Sequence, residues 1–249
     1  MRLNGMVSLV TGGAGGIGRQ IALTFAKAGS KVAIFDVKTK EGEAVEKELC
    51  ALTDGKFINC DLTKVPNIEK AVQEVKLHFG KIDVLVNCAG LANRTFIEQV
   101  TEEEWDLMNG VNLKAAFFTS KEVVKVMKEN KGGKIISLSS LRAHASDDHH
   151  TLYDVTKAGI EAMTRSFAVA FAKDNINVNA VAPGYVLTPM TEINLKREGF
   201  LDWLKSRVPM ERFIEMQEVA DVALFMASDM SKAVTGQTLL VDGGWLAHW

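Results

Sequence analysis

Val7-Ser8-Leu9-Val10-Thr11-Gly12-Gly13-Ala14-Gly15-Gly16-Ile17-Gly18 is the stretch from which the fold is predicted. It starts as a short apolar run and continues into a glycine-rich turn, and residues 20–26 then follow with helical spacing. The implied order is strand, glycine turn, helix. Glycines in such a turn let the backbone approach a pyrophosphate closely, and the N–H groups at the helix N-terminus stabilise its charge. Taken alone, a glycine-rich turn also fits an ordinary loop.

A second apolar run at 31–35 ends in Asp36, at a distance from the glycine turn that fits ribose recognition. The Asp36 carboxylate can accept hydrogen bonds from the ribose hydroxyls of adenosine, and it repels the 2′-phosphate that distinguishes NADP from NAD. Neither Gly15 in the turn nor Val37 after the aspartate offers a cation for that phosphate. We therefore predict NAD as the cofactor. The alternative for Asp36 is a polar residue that ends a strand.

Strand and helix patterns continue to alternate along the chain. A charged amphipathic segment at 39–52 precedes a short strand at 57–60 that ends in Asp61, and a helical pattern covers about 65–79. The run at 82–86 is almost continuously apolar, as expected when helices cover both faces of a parallel sheet. The sequence predicts an α/β protein: a single-domain Rossmann fold over residues 1–249, a doubly wound parallel sheet of about seven strands with helices on both faces.

Composition argues against several classes of partner. Of the 249 residues 47% are hydrophobic, and no apolar stretch is long enough to span a bilayer. Basic residues number 29 against 31 acidic ones, without the basic runs that nucleic acid requires. The N-terminus lacks the pattern of a signal peptide, so we expect a cytoplasmic protein. Because Cys50, Cys60 and Cys88 lack metal-ligand spacing, we expect reduced, mostly buried thiols and no metal site.

Residues 139–157 contain the candidate catalytic side chains. Tyr153 and Lys157 lie four residues apart at the start of a helical pattern, so both project from one face of one turn. A free tyrosine has a pKa of about 10, and a neighbouring ammonium favours the phenolate. Ser140 follows a strand pattern at 134–139, where its hydroxyl can hydrogen-bond a substrate oxygen beside Tyr153. Without this context, Tyr153 and Lys157 fit better as surface residues of an amphipathic helix.

Further short motifs follow one another along the chain. They are Asp61, Asn87-x-Ala89-Gly90, Asn112, Ser140, Tyr153-x-x-x-Lys157, Pro183-Gly184, Thr188 and Val241-Asp242-Gly243-Gly244. Together with the turn Thr-Gly-x-x-x-Gly-x-Gly, and in this order, they resemble the motifs of the short-chain dehydrogenase/reductase family. The resemblance covers essentially the whole chain.

The resemblance implies reversible hydride transfer between an alcohol carbon and a nicotinamide. It implies that Ser140 orients the substrate oxygen and that Tyr153 exchanges the hydroxyl proton, while Lys157 assists Tyr153 and binds the nicotinamide ribose. The family's active-site asparagine corresponds to Asn112, where it distorts a helix and holds a water linked to the lysine. The implied catalytic residues are Asn112, Ser140, Tyr153 and Lys157.

The resemblance also implies a cofactor-binding set along one cleft. The glycine turn holds the adenosine half, Asp61 and Leu62 lie beside the adenine, and the loop after Pro183 holds the carboxamide. The second asparagine common in the Asn87 motif is Cys88 here, so one hydrogen bond of the family is in doubt. The implied set is Gly12, Gly15, Gly16, Ile17, Gly18, Asp36, Val37, Asp61, Leu62, Asn87, Ala89, Gly90, Tyr153, Lys157, Pro183, Gly184, Val186 and Thr188.

Arg94, Arg142 and Tyr185 fall in the windows that face the substrate in this family. An arginine fork matches a carboxylate, so Arg142 favours a small polar substrate, such as a sugar acid or polyol, over a steroid or a long acyl chain. The alternative for Arg142 is a salt bridge with Asp147 or Asp148.

The family places a substrate lid at about 188–212, although such a segment also fits a helical hairpin at a subunit contact. The closing residues 243–249 resemble the tails of gluconate 5-dehydrogenase-like members, which supports a sugar-acid substrate. Trp245 and Trp249 in this tail fit burial against another subunit, in line with the homotetramers of the family, or packing on their own chain.

Other functions remain open. A 3-oxoacyl-acyl-carrier-protein reductase has a similar overall pattern, as has a hydroxysteroid-type dehydrogenase. Asp36 disfavours the NADPH that the acyl reductase uses, and Arg142 disfavours an apolar substrate. From a different class, a catalytically silent dinucleotide-binding regulator does not need all four catalytic residues.

Overall fold

A parallel sheet of seven strands forms the centre of the computed structural model, which describes residues 1–188, 191–192 and 198–248. The strands are β1 (Val7–Thr11), β2 (Lys31–Asp36), β3 (Gly55–Asn59), β4 (Val84–Asn87), β5 (Gly133–Leu138), β6 (Ile176–Pro183) and β7 (Thr238–Val241). Their spatial order is β3-β2-β1-β4-β5-β6-β7, and each neighbouring pair is parallel.

Helices lie between successive strands, as the alternating patterns predict. They are α1 (Gly16–Lys27), α2 (Thr39–Cys50), α3 (Val65–Phe79), α4 (Glu102–Asn109), α5 (Ala115–Glu129), α6 (Thr151–Phe171), α7 (Phe200–Arg207) and α8 (Met216–Ala227). A π-helical turn, Gly110–Lys114, joins α4 to α5. The prediction of a doubly wound Rossmann fold is confirmed.

Neighbouring residues of the central strands are buried on opposite faces of the sheet. In β1, Leu9 packs in an apolar cluster with residues of α3, α5 and α6, whereas Val10 packs in a second cluster with residues of α1, α2 and α8. Both side chains are fully buried. This two-sided burial explains why the strand patterns are continuously apolar rather than alternating.

The strand order reverses between β1 and β4, because β2 lies on one side of β1 and β4 on the other. In such sheets the ligand crevice opens at the carboxyl ends of the strands, next to the reversal. The glycine turn follows β1, Asp36 ends β2, Asn87 ends β4, and Ser140 lies just beyond β5. The motifs that are scattered along the sequence therefore meet at one edge of the sheet.

Some boundaries differ from the sequence prediction. The strand predicted at 57–60 starts earlier, at Gly55, which pairs with Val32. The strand predicted from residue 82 starts at Val84, and the Asp83 carboxylate before it accepts the backbone N–H of Val7 at 2.7 Å. None of the described helices has the length and apolar character needed to cross a membrane.

The predicted lid at 188–212 is described only in part. It contains α7, whereas residues 189–190 and 193–197 lie outside the described residues, as does Trp249 of the predicted subunit contact.

Candidate active site

The glycine turn is held tightly against the loop that follows β4. Thr11 Oγ1 accepts the backbone N–H groups of Cys88 and Ala89 at 3.0 and 3.1 Å. Gly12 has φ +67°, and a Cβ there would lie 2.8 Å from Cα of Ala89. No side chain caps the N-terminus of α1 at Gly15, so the first N–H groups of that helix remain available to an anion. This cradle fits the pyrophosphate of a dinucleotide.

Asp36 is fixed at the end of β2 by two backbone groups. Its Oδ2 accepts the N–H of Ala14 in the glycine turn at 3.1 Å, and Oδ1 accepts the N–H of Lys38 at 3.1 Å. The carboxylate thus lies directly beside the turn, while Val37 is exposed. An anion at this position fits a free ribose and opposes a 2′-phosphate.

Asp61 and Leu62 follow β3 on the same edge of the sheet. Asp61 Oδ1 accepts the hydroxyl and the N–H of Thr63 at 2.6 and 3.0 Å, and these bonds, with Lys64 nearby, lower the pKa of the Asp61 carboxyl. Leu62 is buried in the apolar core. Its side chain therefore supports the loop from below.

The side chain of Asn87 is buried inside the fold rather than exposed in the cleft. Its Nδ2 donates to Ser120 Oγ at 2.9 Å and to Ser137 Oγ at 3.2 Å. These bonds tie β4 to α5 and β5, as suits a residue at the end of a central strand. Gly90, three residues on, does face the site: a Cβ there would lie 3.7 Å from the Lys157 ammonium.

Asn112 occupies the π-helical turn and is 1% exposed. Its Oδ1 accepts the N–H of Leu91 at 2.7 Å, and its Nδ2 lies 2.9 Å from the Leu91 carbonyl oxygen and 3.1 Å from Thr156 Oγ1. The extra residue of a π-turn turns this amide inward, towards the loop after β4 and towards α6. Asn112 thereby holds the backbone beside Gly90 and the residue that precedes Lys157.

Tyr153 and Lys157 lie on one face of the first turns of α6, as their spacing predicts. The Lys157 ammonium is 5.4 Å from the centre of the Tyr153 ring. Lys157 is 5% exposed, and its Nζ donates to the carbonyl oxygen of Leu138, the last residue of β5, at 2.7 Å. The Lys157 ammonium therefore lies close to the Tyr153 ring, beside the end of β5. The surface-helix alternative for this pair is thereby ruled out.

Ser140 is buried just beyond β5, and its Oγ accepts the N–H of Arg142 at 3.2 Å. That contact uses a lone pair and leaves the hydroxyl hydrogen available to a substrate oxygen. The neighbouring Ser139 donates to the buried Glu161 carboxylate at 2.9 Å. Both serines therefore belong to a fixed backbone that runs alongside α6.

Arg142 does not offer its fork to the pocket, which corrects its assignment as a substrate residue. Its Nε and Nη2 donate to the two oxygens of Asp154 at 2.8 Å each, and its Nη1 donates to Asp147 at 3.0 Å. The side chains of Arg142 and Asp154 are only 16% and 10% exposed. The salt-bridge alternative holds, with Asp154 as an additional partner that the sequence did not suggest.

A cavity of about 280 Å³ lies beside the N-terminal end of α6. Arg94 and Tyr185 line it, together with His150, Glu198, Phe200 and Trp203. Tyr185 is stacked on Trp245 with ring centres 5.5 Å apart, so this tryptophan packs on its own chain. The cavity combines an aromatic wall with charged groups of both signs.

The loop after β6 is held by the end of β7. A Cβ on Gly184 would lie 2.8 Å from Cα of Asp242, so the glycine permits this close approach. Val186 is buried and pairs with Ile214, whereas the N–H of Thr188 donates to Thr191 at 2.9 Å.

Three contacts of the site were not predicted from the sequence: those of Asp154, Thr156 and His150. The sequence does show a carboxylate directly after the tyrosine and a hydroxyl directly before the lysine. Their partners come from other elements, so only the packing of α6 reveals them.

Comparison with known proteins places this geometry in a family. A family model described as enoyl-(acyl carrier protein) reductase matches residues 12–246. The chain is 40% identical over 247 residues to a 3-oxoacyl-[acyl-carrier-protein] reductase of Thermotoga maritima, covering 98% of this chain and 99% of the relative. It is 36% identical over 245 residues to a 5-keto-D-gluconate 5-reductase of Escherichia coli, covering 98% and 96%.

A solved structure agrees closely with the fold. The gluconate 5-dehydrogenase of Burkholderia cenocepacia, in complex with NADP and tartrate, superimposes with a TM-score of 0.96 at 29% identity, covering 100% of this chain and 98% of the other. The resemblance predicted from the motifs is thereby confirmed. The chain belongs to the short-chain dehydrogenase/reductase family, whose oxidoreductases act on hydroxyl and keto groups with a nicotinamide dinucleotide.

Proposed function

We propose that the protein is an NAD-dependent dehydrogenase that interconverts a secondary alcohol and a ketone on a small polar substrate, such as a sugar acid or a polyol. The observation that carries this proposal is the buried Lys157 ammonium 5.4 Å from the Tyr153 ring. Asn112 and Ser140 are fixed on either side of these residues by the contacts of the π-turn and of β5.

The proposed reaction divides the chemistry between four side chains. Tyr153 takes the hydroxyl proton of the alcohol during oxidation and returns a proton to the ketone oxygen during reduction. Ser140 donates a hydrogen bond to the same oxygen, and Lys157 stabilises the phenolate of Tyr153. Asn112 holds the loop and helix that frame the site. Hydride acceptance and return are the chemistry that a nicotinamide supplies when bound.

NAD is proposed over NADP because of the charge at the end of β2. The Asp36 carboxylate is held by Ala14 in the turn itself, where a 2′-phosphate would meet its negative charge. NADP in the Burkholderia structure makes this a point to test. The residues proposed to hold or line the cofactor site are Gly12, Gly15, Gly16, Ile17, Gly18, Asp36, Val37, Asp61, Leu62, Asn87, Ala89, Gly90, Tyr153, Lys157, Pro183, Gly184, Val186 and Thr188.

The small polar substrate is supported by the cavity. Its volume of about 280 Å³ is close to the lower end of ligand pockets, which run from about 300 to 1,000 Å³. Arg94 offers a cation for a carboxylate, and Glu198 and His150 offer partners for hydroxyl groups. Tyr185 and Trp203 present aromatic surface to the apolar face of a sugar. The names of the gluconate relatives point to the same class.

The second candidate is a 3-oxoacyl-acyl-carrier-protein reductase, favoured by the Thermotoga maritima relative at 40% identity. Turnover followed by NADH or NADPH absorbance separates the two candidates. We expect NAD-linked oxidation of D-gluconate or glycerol. Preference for NADPH and a 3-oxoacyl thioester would instead establish the acyl reductase.

The proposal includes one domain over residues 1–249, a lid at about 188–212, a cytoplasmic location and a homotetramer. Apolar side chains on the outer surface support the tetramer: Phe117, Val155 and Val169 on α5 and α6, and Leu239 and Leu240 on the edge strand β7, are all exposed. Light scattering during size-exclusion chromatography tests the tetramer, and a monomer would refute it.

A further inference from the structure

A line of hydrogen-bonded polar side chains connects the wall of the cavity to the first turn of α6. Arg94 Nε lies 3.3 Å from Nε2 of His150, and His150 Nδ1 lies 2.8 Å from Oδ1 of Asp147. Asp147 accepts from Arg142 at 3.0 Å, and Arg142 donates both arms of its fork to Asp154. Arg142 therefore joins two parts of this line. Arg94, His150 and Asp147 form the cavity half, and Asp154 forms the helix half.

The donor pattern fixes the protonation of His150. An arginine Nε–H is only a donor, so Nε2 of His150 accepts from Arg94, and the ring proton resides on Nδ1. That proton is donated to Asp147. Burial raises the pKa of the Asp147 carboxyl, but hydrogen bonds from His150 and His149 and the charge of Arg142 outweigh it and lower the pKa to about 2. Asp147 is therefore a carboxylate at neutral pH.

The helix half of the line is the more buried part. The Arg142 fork binds both oxygens of Asp154 in a charge-assisted pair that is largely shielded from water. Asp154 lies in the first turn of α6, where its charge suits the helix dipole, and it directly follows Tyr153. A planar fork fixes direction as well as distance. The pair thus sets how α6 begins relative to the loop after Ser140.

We propose that Arg142 is a positioning residue for the reaction, a role that rests on the proposed function. Through Asp154 it fixes the orientation of Tyr153, and through Asp147 and His150 it fixes Arg94 at the cavity wall. The bond-forming groups and the group that recognises the substrate anion are thereby held in one frame. Misplacement of a reacting group by about 1 Å costs up to about a hundredfold in rate.

Disrupting the helix half and disrupting the cavity half should change different kinetic constants of D-gluconate oxidation. Asp154→Asn weakens the helix half, so kcat falls about tenfold or more while the KM for gluconate changes little. Asp147→Ala removes the contacts of the cavity half with Arg142, so the KM for gluconate rises about tenfold. The value of kcat and the KM for the uncharged glycerol change little. Arg142→Met shows both effects, and Arg142→Lys restores only part of kcat because an ammonium has no fork.

A matched control removes a surface ion pair remote from the site. Lys76 contacts both oxygens of Glu129 at 2.9 and 2.7 Å, and Lys76→Met is expected to leave kcat and KM unchanged. The NAD dissociation constant of Lys76→Met is likewise expected to stay within about twofold of wild type, because the pair is remote from the site. A merely structural role would make Asp154→Asn and Asp147→Ala lower kcat and raise KM to the same extent. That result would overturn the proposal.

Hydrogen exchange supplies a readout that needs no substrate. Arg142→Met is expected to speed exchange over residues 141–156 and to leave exchange in α3 as in wild type. If the wild-type protein oxidises neither gluconate nor glycerol, the proposed substrate class fails, and the exchange result still decides whether Arg142 orders the start of α6. Unchanged exchange over 141–156 would overturn the positioning role.

Discussion

Replacing Asn112 with alanine tests how far the π-helical turn holds the site together. Asn112 binds the N–H and carbonyl groups of Leu91 at 2.7 and 2.9 Å and Thr156 at 3.1 Å. The substitution leaves three polar groups without this partner. Each lost hydrogen bond of a partly buried group contributes about 1 kcal/mol, so we expect the free energy of unfolding to fall by about 2–4 kcal/mol.

Thermal and urea denaturation measure this loss, and for a chain of this size it corresponds to a fall in Tm of about 5–12 °C. Asn109→Ala is the matched control, because Asn109 lies in the same region, is half-buried and, within the described part of the chain, its side chain donates only to the Trp105 carbonyl oxygen. Its effect is expected to stay within about 0.5 kcal/mol. Turnover should fall with Asn112→Ala alone, since Thr156 precedes Lys157. If both variants lose the same stability, the clamping role assigned to Asn112 is wrong.

Three further predictions concern the turn, acid stability and the thiols. Gly12→Ala, at φ +67° and against a backbone, should cost more than about 2 kcal/mol of stability, whereas Gly15→Ala, whose Cβ would meet nothing within 4 Å, should cost little; urea melts compare them. Because the folded pKa of Asp147 is lowered to about 2, its stabilisation, about 1 kcal/mol after solvent screening, is present above about pH 4 and lost as the pH falls to about 2. Asp147→Ala should flatten that part of the stability curve, and an unchanged slope would contradict this. Burial raises the pKa of the Cys88 thiol to about 12, so iodoacetamide at neutral pH should label the exposed Cys50 and spare Cys88, as mass spectrometry can show.

Local patterns made most of the fold predictable. The glycine turn, the apolar strands and the four-residue spacing of Tyr153 and Lys157 depend on residues close in sequence, and the structure contains each of them. Asp36 was also placed correctly at the end of its strand. Strand ends of a parallel sheet converge without further information, so the location of the site followed from the fold.

Contacts between distant elements were not predictable in the same way. The burial of Asn87 depends on the pairing of β4 with β5, which puts Asn87 opposite Ser137, and on Ser120 of α5. The partner of Arg142 depends on the direction in which α6 leaves its loop, which selects Asp154 besides Asp147. In both cases the packing of whole helices and strands decides which hydrogen-bond partner the side chain reaches.

In the proposed NAD-linked dehydrogenase reaction, Tyr153 carries the proton. The most direct test compares Tyr153→Phe with wild type for D-gluconate oxidation by NADH absorbance and for NAD binding by calorimetry. For Tyr153→Phe we expect kcat to fall by more than about a hundredfold while the NAD dissociation constant is retained. Turnover by Tyr153→Phe at the wild-type rate would contradict it.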